Sequence, residues 1–246
     1  MQFAGKRYWL VGASEGLGLA LAQALAAEGA KVILSARDPA HLALACAAVP
    51  RASAVVVDVS DAASVAAAVA EAGTLDGMVF LAGVYWPMNA QAVDATQLVA
   101  MCDVNFTGCA RVVGAVLPAM IARGAGHLVI TGSLAGFRGL PGALGYAASK
   151  AGAMALAESL YADLRGTGVR VQLANPGFIR TRLTAKNDFA MPFLMEPAQA
   201  AAQMLALMKT SRFKRSFPTL FSWLFRGAQV LPDALYYRIF APRKSG

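Results

Sequence analysis

The chain has 246 residues, 57% of them hydrophobic and 15% charged, and a net charge of +8; that apolarity excludes a disordered chain. A chain of this length hides roughly 70–75% of its unfolded surface, enough for a substantial core, but length alone does not choose between one domain and two. Much of the apolar share is alanine, and no uncharged apolar run reaches the roughly 20 residues of a spanning helix, so the high hydropathy does not indicate an integral membrane protein.

The first ten residues already enter a strand pattern that leads to a glycine, which leaves no room for a signal peptide and makes a cytoplasmic location the expectation. β-rich apolar runs near 7–12, 31–35, 53–57, 77–82, 127–132 and 169–174 read as strands. Helical patterns near 16–28, 39–48, 61–72, 94–122 and 146–165 alternate with them. That alternation is the pattern of βαβ units around a parallel sheet, whose doubly buried strands are near-continuously apolar. The expected class is α/β, a single doubly wound parallel sheet. Gly108 and Gly114, inside the long segment 94–122, mark either close helix packing or a break.

Cys46, Cys102 and Cys109 are odd in number, lack C-x-x-C spacing, and each falls in an apolar helical stretch; they read as buried, reduced thiols. His41 and His127 have no nearby cluster of acidic or thiol partners, so no metal site is expected.

The turn after the first strand reads Gly12-Ala13-Ser14-Glu15-Gly16-Leu17-Gly18. Glycines there permit a tight turn and a close approach of backbone to a pyrophosphate at a helix N-terminus, where free N–H groups and the helix dipole favour an anion. The spacing G-x-x-x-G-x-G differs from the commoner G-x-G-x-x-G, and its position between a strand and an apolar helix is what gives it weight. A second pattern, Tyr146-Ala147-Ala148-Ser149-Lys150, places a phenol and an ammonium four residues apart on one helical face. A nearby cation favours the phenolate and makes proton transfer at neutral pH feasible, although such a pair is also a common surface contact. Ser133 ends the fifth strand, and the carboxyl ends of strands line the ligand crevice in open α/β sheets.

Together these residues resemble the short-chain dehydrogenase/reductase family over roughly residues 5–185. The resemblance implies a Rossmann-type catalytic domain over 1–210, with 211–246 as a basic, apolar helical extension of it. It implies that Tyr146 is the general acid/base, that Ser133 hydrogen-bonds the reacting oxygen, and that Lys150 lowers the tyrosine pKa and binds the nicotinamide ribose. Asn105, in Val104-Asn105-Phe106-Thr107-Gly108, would hold a water or backbone group in a proton relay. The implied cofactor site takes Gly12, Ser14, Glu15, Gly16, Leu17 and Gly18 from the turn, then Arg37, Asp58, Val59, Ala82 and Gly83. Tyr146, Lys150, Pro176, Gly177, Ile179 and Thr181 complete it, with Asp58 at adenine and Ile179 and Thr181 at the carboxamide. Val11 and Leu81 depart from the threonine and asparagine usual at their positions, which bears on local sheet stability more than on activity.

Cofactor choice turns on Ser35-Ala36-Arg37-Asp38. Ala36 is neutral where an acid would bind a ribose 2′-hydroxyl, and the planar fork of Arg37 suits a 2′-phosphate, so NADP(H) is expected. Glu15 near the phosphate, and Asp38 as a partner for Arg37, argue the other way. Tyr85, Trp86, Phe137, Leu140 and Leu144 follow crevice-facing strand ends, and the apolar stretch 189–195 falls where relatives cap the site. They point to a lipophilic alcohol/carbonyl pair, although each is equally compatible with packing.

The charge is uneven. Residues 1–208 balance at +1, whereas Lys209, Arg212, Lys214, Arg215, Arg226, Arg238, Arg243 and Lys244 face Asp233 alone, a balance of +7. Arg212–Phe217 is expected as a short edge strand, followed by Ser216 as a helix N-cap, Pro218 in the first turn, an apolar helix to Leu231, and a second helix from Pro232-Asp233 through Phe240. Thr219, Ser222, Arg226 and Gln229 form one narrow polar stripe. Three homes are open to this segment: packing on its own domain or a neighbouring subunit, capping the substrate pocket, or peripheral membrane contact through residues 212–244. Nucleic acid is not expected, because basic and apolar residues interleave. The leading reading is an NADP(H)-dependent oxidoreductase working on a small-molecule substrate, and the family resemblance implies a homodimer or homotetramer joined through the helices carrying Asn105 and Tyr146. The alternative is a catalytically idle scaffold that senses redox state or associates with a membrane.

Overall fold

A computed structural model describes residues 2–240. Seven strands, β1 (Arg7–Val11), β2 (Lys31–Ala36), β3 (Ser53–Val56), β4 (Gly77–Phe80), β5 (Gly126–Thr131), β6 (Val169–Pro176) and β7 (Lys214–Phe217), form one sheet in the order β3-β2-β1-β4-β5-β6-β7. Every pairing is parallel. Successive strands run outward from β1 in one direction and from β4 in the other, so the direction reverses between β1 and β4, which opens a crevice at their carboxyl ends.

Side chains alternate across the sheet even where the run is continuously apolar. Trp9, Val11, Met78, Phe80, Leu128 and Ile130 enter one core with helices α3 (Ala62–Ala72), α5 (Gly108–Arg123) and α6 (Leu144–Asp163). Tyr8, Leu10, Leu34, Val79 and Val129 enter the other, with α1 (Gly16–Ala27), α2 (Pro39–Ala47) and α7 (Pro197–Met208). Two buried layers explain why these strands carry no polar face.

The segment expected as one helix over 94–122 is α4 (Ala95–Cys102), a π-helical turn (Asp103–Thr107), then α5. The interruption lies before Gly108 and away from Gly114: Gly108 is tight against Val59, whose Cγ2 stands 2.8 Å from the position of an added Cβ, whereas a Cβ at Gly114 would meet nothing within 4 Å. Of the three cysteines expected to be buried, only Cys109 is; Cys46 and Cys102 are half-buried, each helix turning one flank toward solvent.

The expected edge strand forms as β7 and is followed by α8 (Thr219–Gln229) and α9 (Asp233–Phe240). Ser216 is not the N-cap: it lies within β7, buried, and accepts a hydrogen bond from Arg226 at 3.4 Å. Pro218 occupies the cap position instead, so the helix starts without a side-chain cap. The polar stripe of α8 is divided: Thr219, Arg226 and Gln229 are exposed, and the buried side is Phe221, Ser222 and Ala228. Ser222 is 2% exposed and Gln229 donates to the Phe137 carbonyl, while Leu220, Trp223 and Val230 are 72%, 69% and 84% exposed. Arg243 and Lys244, part of the basic count, lie outside the described residues.

Candidate active site

At the crevice, Gly12 leaves β1 with φ +91°, and a Cβ there would fall 2.4 Å from the Ala82 nitrogen; a Cβ on Gly18 would fall 2.2 Å from the Gly12 carbonyl oxygen. Only hydrogens fit at these two positions, so the turn brings the start of α1 against the sheet. Glu15, at the N-cap, places no side chain on the first N–H groups of α1, which are left to meet an anion. Its carboxylate pairs instead with Arg182 at 2.8 Å, which offsets the negative charge that argued against a phosphate nearby.

A cleft of about 320 Å³ opens here, and Gly12, Ser14, Glu15, Gly16, Leu17, Gly18, Arg37, Asp58, Val59, Ala82, Gly83, Tyr146, Lys150, Pro176, Gly177, Ile179 and Thr181 all line it. Arg182, Leu183 and Thr184 line it too and were not singled out from sequence. They follow the Asn-Pro-Gly segment in the chain, but nothing in their spacing marks them. Asp58 is anchored by Ser60, whose backbone N–H and hydroxyl both donate to one carboxylate oxygen; the Ser60 hydrogen bond is also the main reason its pKa lies below the usual carboxylate range.

The pairing of Asp38 with Arg37 does not occur. Asp38 caps α2, accepting from the Ala40 and His41 N–H groups, and its second oxygen meets His41 Nδ1 at 2.5 Å. An aspartate just before a Pro-initiated helix satisfies orphan donors better than it serves a solvated guanidinium. Arg37 is exposed and on the cleft wall. Cradle, free helix terminus and guanidinium fit a phosphorylated dinucleotide.

Deeper in, four side chains from separate elements converge. Asn105 is fully buried in the π-helical turn; its Oδ1 accepts from the Val84 N–H at 2.7 Å and its Nδ2 donates to the Val84 carbonyl and to Ser149 Oγ, both at 3.0 Å. The extra residue of a π-turn rotates the side chain away from the regular helical face, a device often found at functional positions. Ser149 in turn donates to the Tyr146 carbonyl at 2.9 Å. This link was missed in the sequence, although a hydroxyl three residues after the tyrosine is the spacing that produces it. Lys150 is buried and donates to the Thr131 carbonyl at 3.0 Å, and burial brings its ammonium down to about 8. Its Nζ lies 5.8 Å from the centroid of the Tyr146 ring.

Burial pushes the Tyr146 phenol above its ordinary pKa, and a side-chain hydrogen bond with Ser133 works against that rise. The sequence reading had Lys150 lowering this pKa. In the folded chain desolvation of the phenolate outweighs the Ser133 hydrogen bond, so the net direction is up.

Tyr146 and Ser133 also face a second cavity of about 500 Å³. Of the residues expected around a substrate, Tyr85, Leu140 and Phe189 line it. Tyr85 packs edge-on against Tyr146 at 5.0 Å and donates to Asn187 Oδ1 at 3.0 Å. Trp86, Phe137 and Leu144 are not in its wall. Trp86 stacks under Lys186 at 4.4 Å, Phe137 packs on the core, and Leu144 opens α6 in solvent. Met195 is buried in a bridge to Ile179. The tail completes the wall with Phe221, Leu224, Phe225 and Phe240. It therefore packs on its own domain and closes this cavity.

A family model described as short chain dehydrogenase matches residues 6–191. The chain is 43% identical over 235 residues to an uncharacterized oxidoreductase of Myxococcus xanthus (strain DK1622), covering 92% of this chain and 93% of that protein. It is 32% identical over 189 residues to the 3-oxoacyl-[acyl-carrier-protein] reductase FabG of Escherichia coli (strain K12), covering 75% and 78%. A solved short chain dehydrogenase from Burkholderia cenocepacia J2315, in complex with NADP, is similar with a TM-score of 0.88 at 27% identity, covering 98% of this chain and all of that one.

Proposed function

The chain belongs to the short-chain dehydrogenase/reductase family, and on that premise we propose that it is an NADP(H)-dependent oxidoreductase interconverting an alcohol with a ketone or aldehyde on a lipophilic substrate. One observation carries the reading: Tyr146 is part of the wall of both cavities, so its phenol stands where a substrate in the apolar cavity would meet a nicotinamide in the cleft.

The glycine turn and the start of α1 hold the pyrophosphate, Asp58 and Val59 the adenine, Lys150 the nicotinamide ribose, and Ile179 and Thr181 the carboxamide. Arg37 takes the 2′-phosphate, a preference supported by the diversion of Asp38 to His41 and by the NADP complex of the Burkholderia relative. When bound, the cofactor supplies hydride to the carbonyl carbon or accepts it from the carbinol carbon.

In the reducing direction Tyr146 gives its phenolic proton to the carbonyl oxygen, while the Ser133 hydroxyl donates a hydrogen bond to the same oxygen. A tyrosine is protonated at neutral pH, the state a proton donor needs, and burial raises the Tyr146 pKa further. The Lys150 ammonium, 5.8 Å from the ring, offsets the phenolate charge left behind. In the oxidising direction the proton passes from the alcohol to the phenolate. Asn105 positions the Val84 backbone and, through Ser149, the first turn of α6 that carries Tyr146.

The aromatic wall of the substrate cavity and the Escherichia coli relative make 3-oxoacyl thioesters the first class to test. The enzyme works in the cytoplasm as a homo-oligomer joined through α4, α5 and α6, a reading supported by exposed Val99 on α4 and Phe106 in the π-turn. Titration of the purified protein with NADPH and NADH, followed by nicotinamide fluorescence, tests the reading. Tight NADPH with weak NADH, then NADPH-dependent reduction of a 3-oxoacyl thioester, is the expected result; failure to bind either dinucleotide overturns it.

A further inference from the structure

On α8 the side chains at i, i+3 and i+4, Leu220, Trp223 and Leu224, are 72%, 69% and 56% exposed, and Val230 just past the helix is 84% exposed. On α9 the same spacing exposes Leu235, Arg238 and Ile239. A surface helix of a globular protein turns one apolar stripe to the core, as these do with Phe221, Ala228 and Tyr236; the exposed residues make a second apolar stripe on the outer side. The orientation of α8 is fixed by buried Phe221, Ser222 and Ala228 and by bonds to other segments, Arg226 to Ser216 and Gln229 to the Phe137 carbonyl. α8 cannot roll over without abandoning the two external bonds and exposing Phe221 and Ala228.

Charge says what covers this face. Arg226 and Arg238 are exposed on the two helices, and the acidic residue of the segment, Asp233, is taken by Arg138. Of the other basic residues in this stretch, Lys209 pairs with Glu28 and Lys214 with Glu158, away from the two helices. An isologous contact between two copies would bury these arginines with no unpaired carboxylate on the two helices to meet them. An anionic lipid surface complements it, with aromatic Trp223 and Tyr237 suited to the headgroup boundary and the arginines to lipid phosphates. Leu224 and Phe240 belong both to these helices and to the wall of the substrate cavity, so the face adjoins the cavity.

We propose that the outer faces of α8 and α9 form a docking surface for an anionic lipid bilayer, laying the substrate cavity against the membrane. The test is co-sedimentation at physiological salt with vesicles of phosphatidylcholine alone and of equal parts phosphatidylcholine and phosphatidylglycerol. The wild-type chain should partition onto the anionic vesicles, roughly tenfold or more above neutral ones, with a blue shift of Trp223 emission. The L220S/W223S/V230S variant should lose that partition, and R238E should weaken it, each keeping the wild-type circular dichroism. None of these substitutions touches the two cavities, so dinucleotide binding reads out separately and its failure would count only against the oxidoreductase reading. Absence of binding to anionic vesicles overturns the proposal, as does binding that survives the triple substitution. A soluble dimer that the triple substitution dissociates also overturns it, by assigning the face to a second copy.

Discussion

The Arg138 guanidinium lies 4.0 Å from the centroid of the Tyr236 ring. The same side chain donates to the Ala228 and Leu231 carbonyls at 2.8 and 2.7 Å and pairs with Asp233. One half-buried cation thus caps the end of α8, the start of α9 and an aromatic face, and it comes from the loop just past Ser133. A cation at a helix C-terminus satisfies orphan carbonyls and complements the helix dipole.

Arg138→Ala should therefore loosen the tail against the domain by about 2–3 kcal/mol, the scale of charged hydrogen bonds lost together. Hydrogen exchange should rise across residues 219–240 while the sheet stays protected. Because Phe221, Phe225 and Phe240 wall the substrate cavity, KM for a long apolar substrate should rise with little change in dinucleotide affinity. Unchanged exchange in the tail would show the clamp to be dispensable.

Arg37→Ala should weaken NADPH by about 1.5–3 kcal/mol, roughly 10- to 100-fold in Kd, and leave NADH nearly unchanged. Parallel titrations with the two dinucleotides check it. Equal losses for both would mean that Arg37 serves the cleft in general and not the 2′-phosphate.

Tyr146→Phe should lower turnover by about 10²- to 10⁴-fold, the range for a lost general acid, with NADPH binding held within a few-fold. Steady-state assay beside a binding titration separates the two. Retained turnover would move the proton donor elsewhere in the cavity.

His127 is buried between the Tyr8 hydroxyl and Gln172 Oε1, and burial drives its pKa down from 6.5 to about 4. The unfolded chain binds this proton from pH 6.5 downward, whereas the folded chain resists it until about pH 4. Stability should therefore be full above pH 6.5 and fall as pH drops through that window, by about 3 kcal/mol at most. Urea unfolding at pH 7, 5.5 and 4.5 gives the slope, and His127→Gln should flatten it at the cost of lower stability at pH 7. A slope equally steep in the variant would assign the acid sensitivity to other groups.

Much of the fold was legible because buried parallel strands are short apolar runs with glycine turns behind them, and six of the seven strands stand within two or three residues of their expected bounds. The seventh, β7, expected as a short edge strand over Arg212–Phe217, forms at the edge of the sheet over Lys214–Phe217 despite its charged Lys214 and Arg215. The π-turn was not legible: the apolar period runs smoothly through 94–122, and the extra residue is imposed by Asn105 reaching across to Val84 and Ser149. The diversion of Asp38 was equally hidden, since its choice between Arg37 and His41 depends on α2 starting at Pro39.

Local chemistry in the chain determined where turns, strands and helices begin, because glycine, proline and apolar period act over a few neighbours. It also determined which residue types could bind a dinucleotide and move a proton. Only the tertiary structure decided that desolvation raises the Tyr146 pKa, since desolvation is set by every element packed around it. Tertiary packing likewise decided which way α8 faces. Its polar stripe and its apolar surface are equally visible in sequence, but burial of Phe221 and Ala228 and the bonds from Arg226 to Ser216 and from Gln229 to the Phe137 carbonyl fix the side that faces inward, and those partners lie outside the helix.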